Sequence, residues 1–224
     1  MWASVPTEIE ILFTILFNAT VPSELFNIFY NRLKGLFIML ETELKCIIDK
    51  YKFDKIADFY NWDKVIVQTN HYYRDMTGEL KKNGITFRIR EIDSQFKLQV
   101  KQHKNPGSAL QICEESEFET GCAVPFFTAE EVKEYTGIDA GDVFLLGSAT
   151  TKRYSLMWDK NTEICLDQTT YLDTEDFEIE VEFTSNECPQ ELLKQLADFG
   201  VEFKEKSVGK YSRFAKRFKE LSQK

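Results

Sequence analysis

Two short runs, Glu41-Thr42-Glu43-Leu44-Lys45 and Thr86-Phe87-Arg88-Ile89-Arg90, restrict this chain more than any other feature. Successive side chains of a β-strand point to opposite faces. Glu41, Glu43 and Lys45 therefore share one face of the first run, and Thr86, Arg88 and Arg90 share one face of the second. Neither face suits a hydrophobic core, because buried charges must be paired, hydrated or holding a ligand. Carboxylates favour hard cations such as Mg2+ or Mn2+, and arginines favour phosphate oxygens. Taken singly, such a strand is most simply the solvated face of a half-buried antiparallel sheet.

The pattern recurs too often for that reading. Gln95-Phe96-Lys97-Leu98-Gln99-Val100-Lys101 sets Lys97, Gln99 and Lys101 against Phe96, Leu98 and Val100. Phe177-Glu178-Ile179-Glu180-Val181-Glu182-Phe183 sets three glutamates against four apolar residues. Glu163-Ile164-Cys165-Leu166-Asp167 follows more weakly, and Thr151-Lys152-Arg153-Tyr154-Ser155-Leu156 adds cations with ambiguous parity. The charges segregate by strand into acidic and basic sets. A solvated sheet mixes signs, since like charges on neighbouring strands repel. Segregation is tolerable where metal ions sit on the acids and an anion sits on the bases.

These residues resemble the CYTH, or triphosphate tunnel metalloenzyme, superfamily, in the flavour of its Gram-positive-type bacterial members. The resemblance rests on the ordered set Glu41-x-Glu43-x-Lys45, Gln68-Thr69-Asn70-His71-Tyr72-Tyr73, Arg88-x-Arg90-Glu91, Leu98-Gln99-Val100-Lys101, Thr151-Lys152-Arg153-Tyr154, Ile164-Cys165-Leu166-Asp167, Glu178-x-Glu180 and Lys210-Tyr211. It spans residues 41–224 and implies an α+β fold, a closed antiparallel β-barrel of about eight strands around a hydrophilic tunnel, flanked by helices. Two departures stand out. Tyr72-Tyr73-Arg74-Asp75 carries an added cation, and the stretch 111–120 is dense in acid (Glu114, Glu115, Glu117, Glu119). The latter reads as a solvated hairpin, or as a tunnel mouth that alters substrate preference.

Helices to cover an apolar outer barrel face are also legible. Thr128-Ala129-Glu130-Glu131 is a capping box opening a short helix that Gly137 can end. Pro189 fits the first turn of a helix over 189–199 closed by Gly200. Residues 52–60 place Phe53, Ile56, Ala57 and Tyr60 on one side, and 211–221 repeats Phe214, Phe218 and Leu221 at helical spacing.

At 224 residues the chain can bury one large core, and 19 phenylalanines against 10 glycines argue against disorder. A net charge of −9 argues against a general nucleic-acid binder. Cations converging inside a pocket can still bind an anion. Five cysteines without a CxxC pair read as reduced thiols of a cytoplasmic protein. The two histidines, His71 and His103, are too far apart in sequence to suggest a metal site. Residues 1–40 read as an N-terminal extension of unassigned role. Its apolar run 11–17 is too short to span a bilayer and lacks a basic flank, and residues 22–33 suit a helix. Glu8-Ile9-Glu10 echoes Glu41-Thr42-Glu43, but Leu12 stands where the lysine belongs.

The resemblance implies a site. Glu41, Glu43, Glu178 and Glu180, with Asp167 as a further acid, would hold one or two Mg2+ or Mn2+ ions. Lys45, Arg88, Arg90, Lys101, Arg153 and Lys210 would bind triphosphate oxygens. Glu41, Glu43, Lys45 and Glu180 form the expected catalytic core. Glu182 is open between a site role and a solvated rim, Lys97 reads as a surface charge, and Tyr72 and Tyr73 read as packing residues. No Ser/His or Cys/His arrangement and no GxxxxGK[ST] loop is visible. Three functions follow: a divalent-metal-dependent triphosphatase acting on inorganic, thiamine or nucleoside triphosphate; a class IV-like adenylyl cyclase; or a non-catalytic polyphosphate-binding module. The expected partner is a triphosphate-bearing small molecule, with no nucleic acid, no membrane, and a homodimer as the candidate assembly.

Overall fold

Charged and apolar residues alternate along strands that have no partner-free edge, because the sheet closes on itself. The computed structural model describes residues 39–105, 108–184, 187–204 and 206–223. The apolar run 11–17, the candidate helix at 22–33 and the Glu8-Ile9-Glu10 echo lie outside the described residues. In chain order the elements are β1 (Met39–Ile48), α1 (Lys50–Phe59), β2 (Lys64–Asp75), α2 (Glu79–Lys82), β3 (Ile85–Ile92), β4 (Gln95–His103) and β5 (Leu110–Thr120). They continue with β6 (Phe126–Phe127), α3 (Ala129–Thr136), β7 (Val143–Asp159), β8 (Thr162–Tyr171), β9 (Thr174–Phe183), α4 (Gln190–Asp198) and α5 (Lys210–Ser222).

Eight strands run β2-β3-β4-β5-β1-β9-β8-β7, and β7 pairs back to β2 to close an antiparallel barrel. The two-residue β6 pairs only on β7, outside this ring. Closure satisfies every edge. Directly paired residues face the same side, so the register alone defines the interior. Lys45 lies opposite Glu180, Arg153 opposite Asp167, Asn70 opposite Arg90, and Lys101 opposite Glu115. The ambiguous parity of 151–156 is thereby resolved: Arg153 faces inward, while Lys152 is exposed and stacks on the Tyr154 ring at 5.0 Å.

Apolar residues between these charges form the outer face and are covered by helices. Phe53 and Ile56 of α1 and Leu192 and Leu196 of α4 pack on Ile164, Leu166, Ile179 and Val181. Each such fully buried aliphatic or aromatic side chain contributes about 1.5–3 kcal/mol. On the opposite side Leu80 of α2 and Val132 of α3 cover Tyr73, Phe87, Ile89, Leu98 and Val100. Thr128 and Glu131 cap α3 reciprocally, and Gly137 ends it in the left-handed region at φ 73°. Pro189 is the N-cap of α4 rather than part of its first turn, since its ψ of 120° is not helical.

The fifth helix differs from the expected outer cover. Phe214 of α5 packs on Tyr72, Ala149 and Tyr171, which share the inner face with Arg88 and Arg90, so α5 is seated against the barrel interior. Gly147 makes this possible: a Cβ there would lie 2.8 Å from Phe214 Cζ, at a φ of 149° that side chains rarely adopt. Arg74, the added cation, lies 6.0 Å from the Phe218 ring centroid and stacks on the same helix. Tyr72 and Tyr73 are both packing residues, one under α5 and one in the outer core.

Candidate active site

Inside the barrel is a cavity of about 1140 Å3. Glu41, Glu43, Lys45, Arg88, Arg90, Lys101, Arg153, Glu180 and Lys210 all line it. Asp167 and Glu178 are fully buried beside it, joined to Lys210 and Arg153. The sequence-predicted residues thus converge, although they come from seven different elements.

The acids divide into two groups. Glu41, Glu43 and Glu182 bring one carboxylate oxygen each within 4.8 Å of one another, and Asp167, Glu178 and Glu180 do likewise. Glu182, which sequence parity left between site and rim, belongs to the first group. The second group is densely neutralised. Arg153 grips Asp167 in a fork, Nε and Nη2 at 2.8 and 2.7 Å, and also meets Glu180 at 2.5 Å. Lys210 reaches Asp167 at 2.8 Å, Glu180 at 3.0 Å and Glu178. Arg213 donates to Glu178 at 2.6 Å, and Lys45 to Glu180 at 3.1 Å. Arg213 also holds Asp176 at 2.6 Å, so the pair tethers α5 to β9.

Compensation in the first group is thinner. Lys101 pairs with Glu41 and lies 3.4 Å from Glu43, which also has Lys45 at 3.0 Å. Glu182 has only the Arg153 Nη1 at 3.6 Å within ion-pair reach among the described residues. The titration shifts follow the balance at each carboxyl, and even in the densely paired second group burial prevails at Glu178 and raises it. Burial raises Glu182, Glu41 adds to it, and the carboxyl lies at about 8. Burial also raises Glu43, but Lys101 and Lys45 outweigh it and hold that carboxyl at about 2. In the second group burial likewise opposes ionisation of Asp167 and Glu180, and the surrounding cations win for both.

The cations also fall into two kinds. Lys45, Lys101, Arg153 and Lys210 are already engaged by carboxylates. Arg88 and Arg90 are hydrogen-bonded to none: Arg88 has only a long ion pair to Glu115 at 3.8 Å, and Arg90 has no carboxylate at ion-pair distance among the described residues. Both guanidinium groups are instead held at Nε by neutral amides, Arg88 by Gln99 at 2.8 Å and Arg90 by Asn70 at 3.1 Å. Burial, with Arg88 and Arg153 nearby, lowers Arg90 to about 10. Two neighbouring arginines held by neutral amides and only weakly countered by carboxylate form a candidate anion site.

Sequence reasoning missed several lining residues. The acidic stretch on β5 is not a solvated hairpin, because Glu115 and Glu117 face inward while Glu114 pairs outward with Lys104 at 2.6 Å. Lys97 is no free surface charge, since it meets Glu117 at 3.1 Å. Gln68 and Gln111 line the cavity with side-chain amide nitrogens that have no hydrogen-bond partner among the described residues. The parity of each was readable in the sequence; their spatial partners were not. Of the two histidines, His71 lies 2.8 Å from Ser148 and 3.1 Å from Glu91, and His103 lines the cavity with its ring 3.1 Å from the Cys113 thiol.

A family model described as the CYTH domain matches residues 39–215. The chain belongs to the CYTH family. It is 29% identical over 168 residues to the Bacillus subtilis (strain 168) protein named "Putative triphosphatase YjbK", covering 72% of this chain and 87% of that one. Solved structures of other proteins share the fold. A Bacillus halodurans protein described as a putative adenylate cyclase has a TM-score of 0.61 at 24% identity, covering 77% of this chain and 95% of its own. The Hippeastrum protein HpAC1, described as a putative adenylyl cyclase with a dominant triphosphatase activity, has a TM-score of 0.64 at 21% identity, covering 79% and 96%. Among the described residues of this CYTH protein no helix is long and apolar enough to cross a membrane.

Proposed function

We propose that this CYTH protein is a divalent-metal-dependent triphosphatase that releases orthophosphate from a triphosphate-bearing small molecule. We place the tunnel domain at 41–224, with 1–40 as an N-terminal extension, in a cytoplasmic setting. The observation that carries the reading is the division inside the tunnel: a carboxylate trio, Glu41, Glu43 and Glu182, shares one cavity with Arg90, which has no counter-ion among the described residues, and Arg88, which has only the long Glu115 pair at 3.8 Å. The names of the B. subtilis and Hippeastrum relatives agree with hydrolysis.

All donors of the trio are carboxylate oxygens, the set preferred by Mg2+ and Mn2+ over softer metals. A bound divalent ion supplies charge neutralisation at phosphate oxygens and acidifies water. Glu41, Glu43 and Glu182 are the residues that would hold it, with Glu180 the adjoining acid through Lys45. Arg88 and Arg90 bind the phosphate chain, and Lys45 and Lys101 stand between acids and phosphate, fixing both. The protein's contribution is positioning and electrostatic stabilisation, without a covalent intermediate.

Purified protein incubated with inorganic, thiamine and nucleoside triphosphates, with Mg2+ or Mn2+, tests the reading by separate assays for orthophosphate, pyrophosphate and cyclic nucleotide. Orthophosphate is expected. Cyclic nucleotide with pyrophosphate would establish the cyclase, and tight binding without turnover would establish a binding module.

A pH dependence follows from Glu182. Its carboxyl titrates at about 8 in the free protein, so at neutral pH it is mostly protonated and a cation must displace that proton. Metal affinity is expected to rise about tenfold per pH unit up to about 8 and then level off, with close to one proton released per ion. Without metal the sign reverses for stability: the folded state holds this proton more tightly than the unfolded chain, so the Glu182 contribution is lost as pH rises through about 8. Calorimetric metal titrations in buffers of different ionisation heat check the proton count, and pH-independent affinity between 6 and 8 would count against Glu182 as a ligand.

A further inference from the structure

Asn70 is completely buried on β2, opposite Arg90 on β3. Its Oδ1 accepts from Arg90 Nε at 3.1 Å, and its Nδ2 has no hydrogen-bond partner among the described residues. An unpaired buried donor is costly. An aspartate would be nearly the same size and would remove the unpaired donor, and its charge would neutralise Arg90. The barrel uses that solution next door: Arg153 is forked by Asp167, which is equally buried. At Arg90 the chain instead retains a neutral amide with an unsatisfied group.

Arg88 repeats the arrangement with a further layer. Gln99, itself buried, accepts from Arg88 Nε at 2.8 Å and donates its amide to Glu117. The orientation of Gln99 is unambiguous, since a guanidinium only donates and a carboxylate only accepts. Glu117 is in turn held by Lys97 at 3.1 Å. Gln99 thus passes rigidity from Glu117 to Arg88 while keeping the carboxylate itself away from the guanidinium.

We propose that Asn70 and Gln99 are positioning residues that fix Arg90 and Arg88 at Nε through uncharged groups, so that neither guanidinium hydrogen-bonds a carboxylate and their charge stays available to the phosphate oxygens of the ligand. The unpaired Asn70 nitrogen is then a stability sacrifice made for anion affinity. This rests on the triphosphatase reading for the identity of the ligand, but the electrostatic statement stands for any anion in the tunnel.

Asn70→Asp separates this role from a merely structural one, because it moves stability and affinity in opposite directions. Without ligand, the variant is expected to melt about 2–4 °C higher, as Arg90 gains a counter-ion and the orphan donor disappears. Its dissociation constant for inorganic triphosphate, measured calorimetrically without turnover, is expected to weaken by about tenfold or more. In an Arg90→Gln background the same Asn70→Asp change should lose its stabilising effect and no longer alter affinity. Gln99→Glu is expected to weaken triphosphate binding in the same direction through Arg88. A variant that melts lower and binds less would mark Asn70 as structural and overturn the proposal, as would unchanged affinity in both Asn70→Asp and Gln99→Glu. A native protein that binds no triphosphate, together with a stabilised Asn70→Asp, would overturn the proposed function and leave the amide grip standing.

Discussion

Replacing Arg153 by alanine is expected to destabilise the protein by about 3–5 kcal/mol, the range for removing one partner of a buried charge cluster. Arg153 holds Asp167 by two hydrogen bonds at 2.8 and 2.7 Å and meets Glu180 at 2.5 Å, and Asp167 is fully buried. Without it, Lys210 is the one cation left in ion-pair reach of Asp167 among the described residues, while Glu178 keeps Arg213 and Glu180 keeps Lys45. A drop in melting temperature of about 10 °C follows for a chain of this size. The pH dependence has a definite sign. Asp167 and Glu180 titrate below their ordinary values in the native protein, so their stabilising contribution is present above the unfolded carboxylate range and is lost on acidification. In Arg153→Ala the two acids protonate more readily, and the deficit relative to the native protein should shrink as pH falls. Thermal melts at several pH values measure both effects, and an unchanged melting temperature would show that the fork carries no net stability.

Glu43→Gln is expected to reduce metal-dependent turnover by at least about a hundredfold while leaving the fold intact. Glu43 is 1% exposed, sits between Lys45 and Lys101, and shares the trio with Glu41 and Glu182. Glutamine keeps the shape and can still accept from Lys45. It withdraws the carboxylate held at about 2, which stays ionised across the physiological range, and leaves two lysines less compensated. Metal affinity and turnover should therefore fall together, with the melting temperature changed by much less than in Arg153→Ala. Full activity in the glutamine variant would remove Glu43 from the metal site.

The contrast between these variants was not readable from the strands. In sequence Glu43 has a clear parity beside Glu41 and Lys45, whereas Arg153 sits in a run of ambiguous parity and is assigned to the site by resemblance. Only the pairing of β7 with β8 and of β8 with β9 shows that Arg153 is tied to acids, and only the spacing around β3 shows that Arg90 is not. The acidic stretch on β5 taught the same lesson. Its alternation was plain, but a solvated hairpin and an inner barrel wall have the same period of two.

Parity along a strand is a local property, and it determined a great deal. It placed Glu41, Glu43 and Lys45, Arg88 and Arg90, and Glu180 each on one face of their own strand, the family resemblance joined those faces into one tunnel, and capping boxes and helical spacing marked the covering helices. Counter-ion choice is non-local: which acid meets which base depends on register across strands separated by tens of residues, and burial sets how strongly each pair counts. That decided the two facts on which the proposed chemistry depends. Glu182 joins Glu41 and Glu43 while Asp167, Glu178 and Glu180 are bound up by cations, and Arg88 and Arg90 keep their charge because neutral amides, rather than carboxylates, hold them.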